Sequence, residues 1–234
     1  MKTNFGDYFK SIMSDNFAFL FDMDGTMVDN MKYHELAWQQ QLKQLGKDLS
    51  SEEIKPTLYG KNEEVLQRHF GDRFSDEDVE LFSKQKEEKY QTLYKDHISL
   101  IKGLPSFLQQ AYDAHIALAI ATASASSNIE MILKATHSHK FFNVIITAEQ
   151  TKKGKPDPEV FLTAASQLNI SPQLCIVFED SLKGAEAAYN GGMRSVFITT
   201  SGQESDLKRL PGVIKIIDDF SSISPDSIIS ILQE

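Results

Sequence analysis

The sequence predicts an α/β protein in which a parallel sheet lies between layers of helices and an all-helical domain is inserted into that core. From about residue 104 onward, short apolar runs alternate with amphipathic stretches of helical length, the pattern of a parallel sheet covered by helices. Before that, roughly 65 residues of helical periodicity separate the first apolar run from the second. We therefore expect a Rossmann-like three-layer core interrupted by a helical insertion.

The composition is that of a soluble globular chain. Its 234 residues are 41% hydrophobic and 24% charged, and they accommodate one large domain or two smaller ones. Because 33 acidic residues outnumber 24 basic ones, the net charge of −9 argues against a nucleic-acid partner. A small anionic ligand is compatible with this charge if its site carries a metal ion and a lysine. No apolar run approaches the length of a membrane span.

The N-terminus and the single cysteine bear on where the protein is expected to work. Residues 1–16 lack the apolar region of a signal peptide, and we assign them to an N-terminal extension without a function. Cys175 stands alone, which excludes an internal disulfide, and its apolar neighbours predict a buried thiol. We therefore expect a cytoplasmic protein without a membrane partner, and a monomer is the default expectation.

The first predicted strand is the stretch Phe17–Phe21. An unbroken apolar run of this kind is typical of a strand buried on both faces. Asp22, Asp24 and Gly25 follow at once, and unpaired buried aspartates are costly, so a compensating group such as a divalent cation is expected. An EF-hand calcium loop is disfavoured because its glycine is the sixth residue of the loop, whereas Gly25 is the fourth from Asp22. A strand that ends in a polar turn is a second alternative.

Residues 30–97 are predicted to form the helical insertion. Its first helix carries an apolar stripe and ends at Gly46. A short helix is expected over Glu63–Phe70. Ser75 is a predicted N-cap, followed by acidic residues that favour a helix start, and the long helix that it opens ends near Tyr94.

The remaining residues, 1–29 and 98–234, are assigned to the α/β core, in which strands and helices alternate along the chain. The predicted strands are 17–21, 116–121, 144–147, 175–178, 195–199 and 213–217. The predicted helices are 106–115, 127–135, 158–168 and 182–190, with one more near the C-terminus.

Four of the predicted strands end in polar residues. Asp22 and Asp24 follow the first strand, and Thr122-Ala123-Ser124 follows the second. The third strand is followed by a loop in which Lys155 stands between a glycine and a proline, and the fourth by Glu179-Asp180. Since ligands of open parallel sheets bind at the carboxyl ends of the strands, we expect these side chains at one edge of the sheet.

This set of side chains suits phosphoryl transfer, in which negative charge spreads over the oxygens of the transferred group. Asp22 and Asp180, with the backbone carbonyl of Asp24, could hold Mg²⁺. One carboxylate could attack phosphorus to form an aspartyl phosphate, and a second one, two residues away, could act as general acid and base. Thr122 and Lys155 offer a hydroxyl group and a positive charge to the phosphoryl oxygens.

Each of these features has a plainer explanation when it is taken alone. Thr122 could cap the next helix, Lys155 could be a solvated loop lysine, and Glu179-Asp180 could favour a helix start. Their joint occurrence, in this order, favours an active site. A signalling receiver module uses a similar set of residues but is shorter and has no helical insertion. A catalytically silent binding protein is a further alternative, against which the presence of Asp24 argues.

The four motifs, taken in order, resemble those of the haloacid dehalogenase-like (HAD) superfamily. They are Asp-x-Asp-Gly-Thr, a threonine after a strand, Gly-Lys-Pro-x-Pro and Glu-Asp, and they lie between residues 17 and 200. The resemblance implies that Asp22 is the nucleophile, that Asp24 is the general acid/base, and that the helical insertion is a cap. The dehalogenases that give the superfamily its name lack the second aspartate, so Asp24 favours phosphoryl transfer.

The same resemblance assigns the remaining roles at this edge. Thr122 and Lys155 would bind phosphate. Asp22, Asp24 and Asp180 would form the Mg²⁺ site, helped by Glu179.

A narrower resemblance links the chain to the β-phosphoglucomutases, which carry an α-helical cap. The segment Tyr33–Trp38 is similar to one whose histidine, here His34, helps to decide whether substrate or water reacts with the aspartate. Lys86, four residues before Tyr90, matches a cap lysine that contacts substrate phosphate. Plainer explanations are a lysine that snorkels past an apolar face and a polar partner on a cap helix. The resemblance assigns substrate binding to His34, Lys86, Gly60, Ala123 and Ser124.

The chain departs from these mutases after Gly60. At the position of their phosphate-binding arginine it carries Glu63, and neither Lys61 nor Arg68 aligns with that arginine. We therefore expect a Mg²⁺-dependent phosphohydrolase for a small phosphorylated metabolite, with a sugar phosphate as the expected substrate. The alternative is a phosphomutase of the β-phosphoglucomutase type, which interconverts sugar 1- and 6-phosphates.

Overall fold

The computed structural model describes residues 17–201 and 211–233, so the extension expected at residues 1–16 lies outside the described part of the chain. Within the described residues, six parallel strands form one sheet in the order β3-β2-β1-β4-β5-β6. The strands are β1 (Ala18–Phe21), β2 (Ala117–Ala121), β3 (Val144–Ile146), β4 (Cys175–Glu179), β5 (Arg194–Ile198) and β6 (Val213–Ile217). The predicted parallel α/β core is therefore confirmed.

The register of the three central strands brings their carboxyl ends side by side. Phe21, the last residue of β1, pairs with Ile120 of β2 and with Phe178 of β4. β1 and β4 are buried along their whole length, as expected for strands covered by helices on both faces. The residues that follow these strands therefore meet at one edge of the sheet.

The helical insertion between β1 and β2 contains four α-helices and two short 3-10 helices in this fully described part of the chain. Ser75 caps the last of them, as predicted, because its hydroxyl oxygen accepts a hydrogen bond from the backbone N–H of Asp78. The one-turn helix that starts at Ser51 is missing from the sequence-based prediction, since a single turn is too short to show a period; a capping box starts it. The four are α1 (Met31–Gln44), α2 (Ser51–Ile54), α3 (Asn62–Phe70) and α4 (Asp76–Tyr94).

Five further helices cover the sheet in the described part of the core: α5 (Leu104–Asp113), α6 (Ser126–Thr136), α7 (Glu159–Leu168), α8 (Leu182–Asn190) and α9 (Pro225–Gln233). α5 starts two residues before the predicted position, because Pro105 lies in its first turn, where the missing proline N–H costs no hydrogen bond. None of the helices among the described residues is both long and apolar enough to cross a membrane.

The two faces of the sheet are packed with side chains of different size. One face carries a cluster of buried aromatic rings, which includes Phe19, Phe21, Phe107 and Phe178. The other face is lined mainly by alanine and other small residues of β1, β2, α7 and α8. Cys175 belongs to this second cluster and is buried, as predicted.

The insertion has a hydrophobic cluster of its own, formed by side chains of α1, α2 and α3. Trp38, Leu42 and Leu66 are buried in this cluster, away from the sheet. A separate core of this kind is what an independent domain needs. The division into a core of residues 1–29 and 98–234 and a cap of residues 30–97 stays a prediction that this cluster supports.

Candidate active site

Asp22 lies at the carboxyl end of β1, where its backbone N–H still bonds to the carbonyl oxygen of Phe178. Its side chain is buried, and the Lys155 ammonium lies 2.6 Å from Oδ1. Burial raises the pKa of this carboxyl to about 7, against the opposing charge of Lys155. The Asp22 carboxylate is thus buried at the end of β1 and contacts the Lys155 ammonium.

Glu179, the last residue of β4, anchors both Lys155 and the turn that follows the strand. One carboxylate oxygen pairs with the Lys155 ammonium. The other accepts hydrogen bonds from the backbone N–H of Asp180 (3.0 Å) and from the N–H and hydroxyl of Ser181 (both 2.9 Å). Only 1% of Glu179 is exposed. Its carboxylate is therefore held by neighbours on every side.

The carboxylates of Asp22, Glu179 and Asp180 form a cluster that fits a metal ion. One oxygen from each lies within 4.8 Å of the others, and all three residues are buried. Burial, with the charges of Glu179 and Asp22, holds the pKa of Asp180 well above its usual range. Three buried acids face one lysine, so the cluster lacks positive charge, and oxygen donors of this kind suit a hard divalent cation. Close approach to this cluster also requires a glycine, because a Cβ at Gly25 (φ +77°) would overlap the Asp180 carboxylate.

The carboxylate of Asp24 contacts neutral hydrogen-bond donors, whereas that of Asp22 contacts an ammonium group. The Asp24 carboxylate accepts hydrogen bonds from the side-chain amide of Asn30 (2.6 Å) and from the hydroxyl of Ser124. His34 Nε2 lies 3.3 Å from Asp24 Oδ1 but makes no hydrogen bond there. Although burial raises the pKa of Asp24, His34 and the two hydrogen bonds lower it more and hold it below its usual range. The pKa values of the two aspartates are thus shifted in opposite directions.

The residues after β2 also reach this edge. Thr122 is buried, its N–H bonds to the carbonyl oxygen of Ile146, and its hydroxyl accepts a hydrogen bond from the N–H of Ser124 (3.2 Å). α6 starts only at Ser126 and has no side-chain cap, so Thr122 is not the helix cap that the sequence left open. Ala123 lies on the wall of a cavity between this edge and the insertion.

Lys86 of α4 points inward. It is 2% exposed, and its ammonium lies 2.8 Å from His34 Nδ1 and 3.0 Å from the carboxylate of Glu87. A lysine that snorkels to solvent is therefore ruled out. Because an ammonium group only donates, a hydrogen bond between these two groups requires Nδ1 of His34 to accept.

Several residues at this site escaped the sequence analysis. Asn30 precedes α1, so it would be taken for a helix cap, but its side chain makes no capping bond. Its amide instead joins the Asp24 carboxylate to the hydroxyl of Tyr90 (2.6 Å) and accepts from the N–H of Gly25 (3.2 Å). The hydroxyl of Thr200 donates to the carbonyl oxygen of Gly25. No motif marks these residues, since their contacts depend on how distant segments pack.

The basic residues near Gly60 are committed to other contacts. The guanidinium of Arg68 lies 3.6 Å from the ring centre of Tyr59 and donates to backbone carbonyls of the same segment. The ammonium of Lys61 is buried against two carbonyl oxygens of the loop after β3. Gly60 itself has φ +82°. Neither cation takes the place of the mutase arginine in this structure.

A cavity of about 620 Å³ lies between the insertion and the sheet edge. Its lining is strongly acidic, with six carboxyl-bearing residues against the single lysine Lys84. The six are Glu63, Asp76, Glu80, Glu87, Glu88 and Glu149. The lining of this cavity therefore carries more acidic than basic side chains, although Glu87 pairs with Lys86 outside the lining.

Comparison with known proteins identifies the family. The profile of the haloacid dehalogenase-like hydrolases matches residues 19–198. The phosphorylated carbohydrates phosphatase of Thermotoga maritima is 25% identical over 93% of this chain and 98% of its own length. The β-phosphoglucomutase of Bacillus subtilis is 31% identical over 76% of this chain and 81% of its own.

Comparison with solved structures identifies the same family. The crystal structure of a HAD hydrolase of family IA, variant 3, from Entamoeba histolytica superposes with a TM-score of 0.84 at 28% identity, over 93% of this chain and all of the other. The acids, hydroxyls and lysine of the four motifs meet at the carboxyl edge of the same sheet. The chain therefore belongs to the haloacid dehalogenase-like hydrolases and is a phosphoryl-transfer enzyme of their β-phosphoglucomutase-like group.

Proposed function

We propose that this enzyme is a Mg²⁺-dependent phosphatase that hydrolyses a small phosphorylated metabolite, of the sugar phosphate class, through an aspartyl phosphate on Asp22. The observation that carries the proposal is the contrast between the two aspartates. Asp22 lies in the carboxylate cluster and contacts Lys155, whereas Asp24 is held outside that cluster by neutral hydrogen-bond donors. Such different surroundings are needed if one carboxylate is to act as nucleophile and the other as proton carrier.

In this proposal a carboxylate oxygen of Asp22 attacks phosphorus, and the bond from phosphorus to the leaving oxygen breaks. The bound phosphate monoester supplies a proton to the Asp24 carboxylate, which passes it to the leaving oxygen and then takes one from the water that hydrolyses the aspartyl phosphate. The Thr122 hydroxyl and the Lys155 ammonium hold the phosphoryl oxygens at this edge. Ser124 orients Asp24 through the hydrogen bond from its hydroxyl.

The carboxylates of Asp22 and Asp180 and the backbone carbonyl of Asp24 would hold the Mg²⁺ ion. Glu179 would assist by fixing the backbone N–H of Asp180 and the ammonium of Lys155. When bound, the ion neutralises charge on the phosphoryl oxygens beside the nucleophile. This assignment agrees with the deficit of positive charge in the cluster.

Phosphatase chemistry is preferred over mutase chemistry because of the charge in the adjoining cavity. A sugar mutase must grip a second phosphate while the aspartate is phosphorylated, but Glu63 and five further acids line this space. Like charges a few ångströms apart repel by about 4 kcal/mol near a protein surface. The relative that acts on phosphorylated carbohydrates supports the same class of substrate.

A phosphomutase is the second candidate, supported by the contacts beside Asp24. The Lys86 ammonium lies 2.8 Å from His34 Nδ1, and His34 Nε2 lies 3.3 Å from Asp24 Oδ1, which is compatible with the roles that the mutase resemblance gives to His34 and Lys86. As substrate-binding residues both remain predictions, together with Gly60, Ala123 and Ser124.

Phosphorus NMR with Mg²⁺ and a panel of hexose and pentose phosphates, including β-glucose 1-phosphate, separates the two candidates. We expect inorganic phosphate from several sugars, whereas a new 6-phosphate signal with little free phosphate would identify a mutase. Asp22→Asn should lower the rate at least about 10³-fold. Glu52→Gln, a change at an exposed glutamate of the insertion, should leave the rate unchanged. Full activity of Asp22→Asn would refute the proposed nucleophile.

A further inference from the structure

Two charged residues at the start of α3 join the helical insertion to the loop that carries Lys155. Lys61 immediately precedes α3, and Glu64 lies in its first turn. Both side chains contact residues 148–154, the loop between β3 and α7. These contacts cross the boundary between the insertion and the sheet.

Lys61 holds the first half of this loop. It is only 5% exposed, and its ammonium donates to the carbonyl oxygens of Ala148 (2.7 Å) and Thr151. A buried ammonium without acceptors costs several kcal/mol, so these two bonds are obligatory wherever the side chain remains buried. The carboxylate of Glu63, 3.8 Å away and half-exposed, adds a weaker attraction.

Glu64 holds the second half. One of its carboxylate oxygens accepts a hydrogen bond from the backbone N–H of Gly154 (3.3 Å), and the other accepts from the backbone N–H of Lys61 (2.8 Å). A Cβ at either Gly60 or Gly154 would overlap this carboxylate. Glycine on both sides of the boundary is therefore what permits the approach.

The contact at Gly154 bears directly on the site, because the next residue is Lys155. The Lys155 ammonium reaches Asp22 Oδ1 at 2.6 Å and also the Glu179 carboxylate. The peptide from which this side chain starts is held by Glu64 of the insertion. An unbroken series of contacts thus runs from α3 through Gly154 to Asp22.

We propose that Glu64 and Lys61 are positioning residues that couple docking of the helical insertion to the placement of Lys155. The inference rests on the proposed role of Lys155 as a phosphate-binding group. When the start of α3 lies against residues 148–154, Gly154 is fixed and Lys155 is aimed at Asp22. When α3 moves away, the N–H of Gly154 and the two carbonyls lose their partners, and the lysine loses its anchor.

Steady-state hydrolysis of p-nitrophenyl phosphate with Mg²⁺ gives the first test. Glu64→Ala should lower kcat/KM about 10- to 100-fold, the range expected when a catalytic group is displaced by about 1 Å. Glu64→Gln should lose less, because its amide oxygen still accepts from Gly154. Glu52→Ala, an exposed glutamate of the same insertion, is the matched control and should behave as the wild type. A Glu64→Ala enzyme with wild-type kcat/KM would overturn the proposal.

A double-mutant cycle shows whether Glu64 acts through Lys155 or only supports the fold. The readout is calorimetric titration with beryllium fluoride and Mg²⁺, a mimic of the phosphorylated aspartate, on variants with confirmed thermal unfolding. Glu64→Ala should weaken binding at least 10-fold in the wild-type background but less than 2-fold in a Lys155→Met background. Equal weakening in both backgrounds would overturn the coupling. Wild-type affinity of Lys155→Met itself would instead refute the proposed role of Lys155.

Discussion

Gly184, in the first turn of α8, leaves room for the buried carboxylate of Glu179. A Cβ at this position would overlap the carboxylate carbon and both of its oxygens. Alanine is favoured over glycine in a helix interior by about 1 kcal/mol, so helix propensity alone predicts that Gly184→Ala stabilises the protein. We predict the opposite, because the added methyl group must displace Glu179.

The size of the effect follows from the contacts of Glu179. Its carboxylate accepts three hydrogen bonds from Asp180 and Ser181 and pairs with Lys155, at 1% exposure. Breaking a buried ion pair from one side costs about 3–5 kcal/mol. After the propensity gain is subtracted, Gly184→Ala should lower the free energy of unfolding by about 2–4 kcal/mol. For a chain of this length that corresponds to a fall in Tm of about 4–16 °C.

Urea denaturation and differential scanning calorimetry measure this change. Lys183→Ala is the matched control, since it alters the neighbouring residue of the same helix. Lys183 is exposed and its ammonium lies 3.4 Å from Glu186, so its loss should change the free energy of unfolding by no more than about 0.5 kcal/mol. In a Glu179→Ala background the cost of Gly184→Ala should largely disappear. A Gly184→Ala variant as stable as the wild type would show that the Glu179 carboxylate does not occupy this space.

Three more outcomes are expected. Phe178→Ala should lower the free energy of unfolding in urea by about 3–5 kcal/mol, because the buried ring stacks on Phe21 with centroids 4.6 Å apart; a loss below 1 kcal/mol would contradict this packing. Burial raises the pKa of Glu87, but Lys86 and nearby groups lower it more, so the pKa of Glu87 is lower in the folded protein than in the unfolded chain. Glu87 therefore stabilises the fold above its unfolded pKa of about 4.3. This contribution is lost as the pH falls through the lower pKa of the folded state. The stability difference between wild type and Glu87→Gln should therefore shrink from pH 7 to pH 3, and a constant difference would argue against it. Millimolar Mg²⁺ should raise the Tm of the wild type but not of Asp180→Asn, and an equal rise in both would remove Asp180 from the metal site.

The strand-end chemistry could be predicted because it depends on local sequence and on one general rule. An apolar run that stops at Asp22 or at Glu179 marks the end of a buried strand, and parallel strands bring such ends together. The structure confirms the predicted parallel sheet, and the family profile confirms the predicted family.

The contacts between the insertion and the core could not be predicted in the same way. Glu64 and Gly154 are 90 residues apart, and nothing near either residue marks the other as its partner. Lys61 has the charge of a phosphate ligand, but its ammonium is buried on backbone carbonyls. Such pairings follow from the packing of one domain on another, which periodicity and motif spacing do not encode.

The alanine-lined face of the sheet sets the spacing of the catalytic edge. α7 follows the loop of Lys155 and α8 follows the turn of Asp180, and both helices rest on the sheet through small side chains such as Ala164 and Ala187. A larger side chain at either position would move its helix away from the sheet. The residue that precedes that helix, Lys155 or Asp180, would move with it. Residues with no chemistry of their own thus act as the spacers that keep Lys155 close to the acids at the end of the sheet.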